Sequence, residues 1–536
     1  MTHEIYSYVS TRADYDPART ILVFPPEKDC TSLKAAEKFA KASGWQKLTE
    51  YAGDVLMIPI LPKGYGKASL SLAGEILDEY RNAFDSLNGR SLYGRGGKLW
   101  LWETMVDLAG YQEGAVFGGN TLIAYPSRFA AAALIGGAPT DYKPGKELSA
   151  HPFLRRVSED YAVKNGEIES CLWIFGADLK EQRHALTYFT SMGYSKKARQ
   201  ETFGDIAASV YTSKKNPAAK LMFSEMPVHG GIALSETVMS ELFDPVIRWK
   251  NGPDGALKAL PTREEYYLGS RFIQETVCVG TTDYPVSVHL PEGKTAEEVR
   301  GLPLVFSVHG RGEPARLFCT KNGWDTLADE TGEFVVAFPD SLGNIWSLDR
   351  DKDVFPAMID LLCEKYGLDR GRVYLTGFSN GASITREVGT LLPELFAGLS
   401  PWNGPVGLVG AMYQPTIQPV FLEKGLRMPY FVCIGDQDPA AKPESLTEQI
   451  DAMVKVNGLA EEADEIRTGE NFYTKENGYL SGDRFSTRVW YDGRGQAMLA
   501  VTVMKNMPHG AIEEEAKASW EFLKKFRRGE DGELVC

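Results

Sequence analysis

The sequence is short of what several classes of protein need. It has no Lys/Arg-rich run that could track a phosphate backbone, and 72 acidic against 58 basic residues leave a formal charge of −14. Nucleic acid is therefore not an expected partner. No apolar run reaches the roughly 18–20 residues of a membrane span. The opening "MTHEIYSYVSTRADYDPARTILVFPP" puts acids and tyrosines where a secretion signal carries a basic start and an unbroken apolar stretch. No membrane partner is expected, and the expected location is cytoplasmic, provided that no leader has been removed. The seven cysteines are scattered without a CxxC pair, which argues against a zinc site and against a disulfide scaffold. No low-complexity tract points to disorder.

What is present is the material of large globular domains. The chain has 536 residues, 43% hydrophobic and 24% charged, too long for one ordinary core. Strand-like apolar runs alternate with helical patterns in both halves, the signature of a mainly parallel sheet flanked by helices. A polar segment with glycine and proline, "WKNGPDGALKALPTREE", divides them. The expected boundaries are 1–250 for a first domain, 251–264 for a linker and 265–536 for a second domain.

The halves also echo each other. "SGWQKLTEYAGDVLMIP" from Ser43 matches "NGWDTLADETGEFVVAFP" from Asn322, with the same distance from Trp to Gly. "LWIFGAD" from Leu172 matches "FVCIGDQD" from Phe431, and "SEMPVHGG" from Ser224 matches "KNMPHGAI" from Lys505. Three echoes in one order predict a duplicated fold.

The chemistry concentrates in the second half. "RVYLTGFSNGASITREVG" reads as strand, sharp turn and helix, and it fits G-x-S-x-G. In such a turn the serine is lifted above the sheet, and glycines flank it because a Cβ there would strike neighbouring backbone. An ordinary strand-to-helix turn is the alternative, so Ser379 needs partners. A base following the serine in the chain has one candidate, His509 in "NMPHGAIEE", since the other histidines precede Ser379. The acid belongs at the end of the strand "MPYFVCIG". Asp438 is preferred there, with Asp436 as the alternative and a turn-forming Asp as the bland reading of either. "LPLVFSVHGRGEPA" supplies an early strand and a glycine-bearing loop. The backbone amides of Asn380 and Arg311 are thus the expected oxyanion donors, and His309, which precedes the serine, is expected to be structural.

Taken together, "HGRG", "GFSNGA", "GDQDP" and "PHG" make the second half resemble the α/β-hydrolase fold, and within it the polyhydroxybutyrate depolymerase and feruloyl esterase-like group. The segment "IWSLDRDKDVFPAMIDLLCEKYGLDRGRVYLTGFSNG" is similar to that group as well. The resemblance implies a serine esterase with Ser379 as nucleophile, His509 as base and Asp438 as acid, and no metal or organic cofactor. It covers about half the chain. "HGRGE" departs from the glycine-richer turn common in the group, and the opening segment does not read as the secretion signal expected for an extracellular polymer substrate.

The first half then reads as a relic, which makes the fold class two tandem α/β-hydrolase-like domains. With Asn120 laid opposite Asn380, Gly119 falls where Ser379 stands. Asp178 then lies at the same separation from Gly119 as Asp438 from Ser379, with His229 beyond it. Without an Oγ a base has nothing to activate. Pro25 and Pro26, in the counterpart of the oxyanion loop, lack the amide hydrogens an oxyanion hole uses. The expected role of this half is packing, shaping an entrance or supporting a homo-oligomer.

In the second half, the excursion "SPWNGPVGLVGAMYQPTIQPVFLEKG" is long, rich in proline, and carries Trp, Met and Tyr. Trp402, Met412 and Tyr413 are its candidate substrate contacts, a packed surface excursion being the alternative. The expected substrate is a small-molecule or oligomeric ester. A serine peptidase of the same fold, or a binding protein built from two inactive halves, are the rival readings.

Overall fold

The computed structural model describes residues 4–11, 17–66, 100–145, 165–227, 231–248, 257–259, 271–312, 314–319, 322–404, 417–436, 438, 441, 443–460, 463–467, 485–504, 507 and 509–535. The described residues fall into two compact units, one within residues 1–263 and one within residues 264–536.

The first unit carries strands β1 (Ile5–Val9), β2 (Pro17–Phe24), β3 (Val55–Pro59), β4 (Trp100–Tyr111), β5 (Ala131–Ile135) and β6 (Cys171–Phe175), then β7 (Arg199–Phe203), β8 (Ile206–Thr212) and β9 (Lys220–Ser224). They form one sheet in the order β1-β3-β2-β4-β5-β6-β9-β8-β7. From β3 across to β9 the neighbours run parallel, while β1 and the hairpin β7–β8 pair antiparallel at the two edges. Two short strands follow, β10 (Val246–Arg248) and β11 (Leu257–Ala259), paired with each other. Part of the stretch expected to be a plain linker is therefore a strand.

The second unit carries β12 (Ile273–Val279), β13 (Thr282–His289), β14 (Leu304–Val308), β15 (Val335–Pro339), β16 (Val373–Phe378) and β17 (Gly398–Trp402), then β18 (Tyr430–Gly435), β19 (Asp464–Arg467), β20 (Phe485–Tyr491) and β21 (Ala497–Met504). Their order is β12-β13-β15-β14-β16-β17-β18-β21-β20-β19. Apart from β12, order and direction match the first unit strand for strand, with β15 through β21 parallel and antiparallel pairs outside them. The fold is two tandem α/β-hydrolase-like units, as the paired motifs predict.

Sequence explains the burial. The central strands β3, β5, β6, β14, β15, β16, β17 and β18 are buried along their whole length. Their residues are near-continuous apolar runs, as parallel strands covered on both faces require. Next to the edge, the antiparallel strand β8, "IAASVYT", begins with an alternation of buried and exposed residues and leaves one face open.

The Gly-Trp echo also has a packing cause. Gly44 and Gly323 precede the helices Trp45–Ala52 and Trp324–Thr331 with φ of 86° and 75°. Gly53 and Gly332 end those helices at φ of 79° and 65°, and β3 or β15 follows. A Cβ on Gly44 would stand 2.7 Å from Ile232 Cα, and one on Gly323 would stand 2.7 Å from Glu513 Cβ. Ile232 and Glu513 open the helices Ile232–Val238 and Glu513–Leu523, so both copies bring the same two helices together across a glycine. Among the described residues no helix is long and apolar enough to cross a membrane.

Replacing Gly323 by Ala forces a Cβ into that contact and a left-handed conformation on an L side chain. The expected loss is about 1–3 kcal/mol, read as a lower midpoint in urea denaturation.

Candidate active site

Ser379 lies at the turn between β16 and the helix Asn380–Leu391, with φ 56° and ψ −115°. Outside glycine this conformation costs of order 1–3 kcal/mol, so the surroundings have to hold it. The Ser379 N–H donates to Trp402 O at 3.0 Å, and Ser379 O accepts from Ser383 N at 3.1 Å. The flanking glycines are sterically required. A Cβ on Gly377 would stand 2.4 Å from Gly381 O, and one on Gly381 would stand 2.3 Å from Val308 O. The helix can start this close to the end of β14 because Gly381 has no side chain.

The expected partners converge on this serine. His509 Nε2 lies 2.8 Å from Ser379 Oγ, and His509 Nδ1 lies 2.8 Å from Asp438 Oδ2. With Nδ1–H donating to the carboxylate, Nε2 is left to accept the serine proton. The Phe378 ring packs on the imidazole, centroids 4.9 Å apart. Asp438 is 2% exposed, and its Oδ1 accepts from Ala441 N at 3.0 Å. Of the two candidate acids, Asp438 meets the imidazole, while Asp436 is exposed with its N–H on Met504 O.

The loop after β14 runs alongside the nucleophile. A Cβ on Gly310 would lie 3.4 Å from Ser379 Cβ and 3.0 Å from Phe378 Cδ1, and Arg311, whose side chain is exposed, follows directly. His309 is fully buried. Its Nδ1 is 2.7 Å from Gly310 O, its Nε2 accepts from Ser341 N at 3.1 Å, and its carbonyl accepts from Trp346 Nε1 at 3.1 Å. Asn380 closes the ring: its Oδ1 accepts from Trp346 N at 2.6 Å and its Nδ2 donates to Trp346 O at 3.2 Å. The loops after β14 and β15 are thus hydrogen-bonded to each other and to the residue beyond the nucleophile. In the sequence nothing marks Trp346 for this part beyond its place in "IWSLDRD".

Trp402 corrects the expectation for the substrate pocket. It is the last residue of β17, has no exposed surface and stacks on Trp324 with centroids 6.0 Å apart and planes 8° apart. Its indole N–H is 2.9 Å from Ser400 Oγ and 3.0 Å from Ser519 Oγ. An indole ending a strand covered on both faces packs inward, so Trp402 serves the site only through the carbonyl that holds Ser379 N–H. Met412 and Tyr413 lie outside the described residues.

The first unit corrects another expectation. The counterpart of Ser379 is Gln112, between β4 and the helix Glu113–Ala124, with φ 53° and ψ −118°. Gly110 and Gly114 repeat the flanking glycines, and a Cβ on Gly114 would stand 2.1 Å from Phe24 O. Gly119 lies inside the helix, where a Cβ would meet Pro139 and Leu134. Asn120 faces a loop: its Oδ1 accepts from Thr140 N and Asp141 N at 2.8 and 3.0 Å. Asp178 is exposed and caps the helix Leu179–Ser191, accepting from Lys180 N and Glu181 N at 2.8 Å. His229 lies outside the described residues. A cleft of about 540 Å3 opens beside Gln112, lined in part by Pro26, Glu27, Lys28 and Lys63. Among the described residues no group of three or more His, Cys, Asp or Glu side chains is placed to hold a metal ion.

No protein-family model matches the chain. Curated relatives include a bifunctional acetylxylan esterase/xylanase of Neocallimastix patriciarum, 32% identical over 123 residues, which are 22% of this chain and 18% of that protein. A poly(3-hydroxyalkanoate) depolymerase C of Paucimonas lemoignei is 28% identical over 130 residues, 22% of this chain and 30% of that protein. An acetylxylan esterase A of Aspergillus awamori is 28% identical over 121 residues, 19% of this chain and 39% of that protein. The chain therefore spans about a fifth to two fifths of the length of these relatives. Among solved structures, an acetyl xylan esterase from Aspergillus awamori overlaps 48% of this chain and 99% of its own, at 18% identity and a TM-score of 0.38. A feruloyl esterase module from Clostridium thermocellum overlaps 49% and 91%, at 16% identity and a TM-score of 0.34. Both scores are low, so the fold assignment rests on the strand order. The chain is similar to acetylxylan esterases and to polyhydroxyalkanoate depolymerases.

As a core residue, Trp402 replaced by Ala costs about 3–5 kcal/mol of stability, measured by urea denaturation. A pocket residue at that position would change KM and leave the denaturation midpoint in place.

Proposed function

We propose that the chain is a serine hydrolase that cleaves a carboxylic ester through an acyl-serine intermediate formed in its second unit. The observation that carries this reading is the unbroken line from Asp438 through His509 to Ser379, at 2.8 Å and 2.8 Å, built on a strained turn. His509 Nε2 takes the proton of Ser379 Oγ as the oxygen attacks the ester carbonyl. The Asp438 carboxylate stabilises the imidazolium that forms. The backbone N–H groups of Asn380 and Arg311 receive the oxyanion. As the tetrahedral adduct collapses, the C–O bond to the alcohol breaks and His509 returns the proton to the leaving oxygen. Water then repeats the cycle on the acyl-serine, releasing the acid and restoring the serine.

The relatives support an ester substrate in general terms, since those named above are an acetylxylan esterase/xylanase, a polyester depolymerase and an acetylxylan esterase. In this reading the first unit is non-catalytic, because a carboxamide at Gln112 is neither a nucleophile nor a proton donor of useful strength at neutral pH.

The test is hydrolysis of p-nitrophenyl acetate and butyrate, with peptide anilides alongside. Ser379→Ala and His509→Ala are each expected to lower kcat by at least about a thousandfold, with anilides cleaved far more slowly than esters. Gln112→Ala is expected to leave turnover unchanged. Wild-type turnover by a folded Ser379→Ala variant would rule out the proposed chemistry.

A further inference from the structure

Three residues other than glycine have a positive φ among the described residues: Gln112, Ser379 and Asn403. The first two are the turn residues of the two units. Asn403, at φ 46°, immediately follows β17 and has no exposed surface. Gly136 holds the same place in the first unit, directly after β5, at φ 72°. The backbone bonds correspond too: Asn403 N donates to Cys433 O at 2.8 Å, and Gly136 N donates to Phe175 O at 3.0 Å. A left-handed residue is thus part of the shared frame, and glycine meets that need at least cost. The unit with the Ser379–His509–Asp438 line carries asparagine instead, so its side chain calls for a separate account.

That side chain spans the two loops that supply the acid and the base. Its Oδ1 accepts from Gly435 N at 2.7 Å, where the chain leaves β18 towards Asp438. Its Nδ2 donates to Gly510 O at 2.8 Å, one residue beyond His509, and lies 3.2 Å from Glu515 Oε1. Glu515 is fully buried, and its Oε2 accepts from Ile512 N at 2.8 Å. Asn403 itself comes one residue after Trp402, whose carbonyl holds Ser379 N–H. One buried carboxamide therefore fixes the distance between the Asp438 loop and the His509 loop, from a backbone position adjacent to the serine's own anchor. Close packing permits this arrangement: a Cβ on Gly435 would stand 2.2 Å from Met507 O.

We infer that Asn403 is a positioning residue, whose side chain sets the alignment of His509 with Asp438 and Ser379. The inference rests on the esterase reading above. With the imidazole displaced by a fraction of an ångström the site still binds substrate, but proton transfer from Ser379 slows, so the side chain acts on kcat and leaves KM in place.

The decisive variant is Asn403→Gly, which keeps the left-handed backbone that Gly136 shows to be compatible with the frame, and deletes only the bridging side chain. On p-nitrophenyl butyrate the expected result is a fall in kcat of about tenfold to a hundredfold with KM within about twofold of wild type. Labelling of Ser379 by a fluorophosphonate should slow by a similar factor, with circular dichroism unchanged. Asn403→Asp keeps the shape and the acceptor for Gly435 but loses the donor to Gly510; it is expected to lower kcat in the same way. Wild-type kcat in either folded variant overturns the inference, as does a loss that tracks the unfolded fraction with temperature. Failure of both variants to fold would make Asn403 a residue of the fold alone and overturn it equally. The esterase reading fails separately, by full activity of Ser379→Ala in the same assay.

Discussion

A helix that begins against the end of a parallel strand, with no room for a Cβ, is the constraint on which the rest of the architecture depends. In the second unit Gly381 packs on Val308 O and Gly377 on Gly381 O. That contact bends the chain hard enough to leave Ser379 in a left-handed conformation above the sheet. The neighbouring loops then close round it: the loop after β14 by His309, the loop after β15 by Trp346, and the two loops beyond β18 and β21 by Asn403. The strained residue is held by its own backbone bonds to Trp402 and Ser383, inside loops that hydrogen bonds tie to one another, which is how a costly backbone conformation survives in a folded state.

The first unit shows how little of this architecture is the chemistry itself. It keeps the strand order, the glycines flanking the turn, the left-handed turn residue, and the Gly-Trp helix with its glycine contact. It differs where reacting groups would stand, with Gln112 at the turn, prolines in the loop after β2, and Asp178 bound to a helix end. Frame and chemistry separate because the frame is fixed by sterics and burial, which any residue of suitable size satisfies, whereas proton transfer needs particular atoms at hydrogen-bond distance.

The same separation explains what was legible in the sequence. The turn at Ser379 was readable because G-x-S-x-G reports a steric requirement. His509 was readable because it is the one histidine after the serine. The Gly-Trp echo was readable because both copies use glycine at the same left-handed positions. Gln112 was missed because the alignment of the halves was anchored on Asn120 and an equal spacing to Asp178. The glycine pair Gly110 and Gly114 carried the correct signal, and the connection from β5 to β6 does not have the length of that from β17 to β18. Trp402 was misread because an aromatic residue beside Pro and Gly suggests a loop, while its inward direction is decided by the strand it ends. Asn403 had no readable mark: "NG" signals a turn, and its bridging role exists only once three distant segments meet.

The central claim is that one unit carries the reactive serine and the other carries only its frame. The most direct measurement is fluorophosphonate labelling of the intact chain, with stoichiometry from whole-protein mass and location from peptide mass spectrometry. The account predicts one label per chain, on Ser379, and none on the Ser379→Ala variant. A second label within the first unit, or a label that persists on the variant, would contradict it.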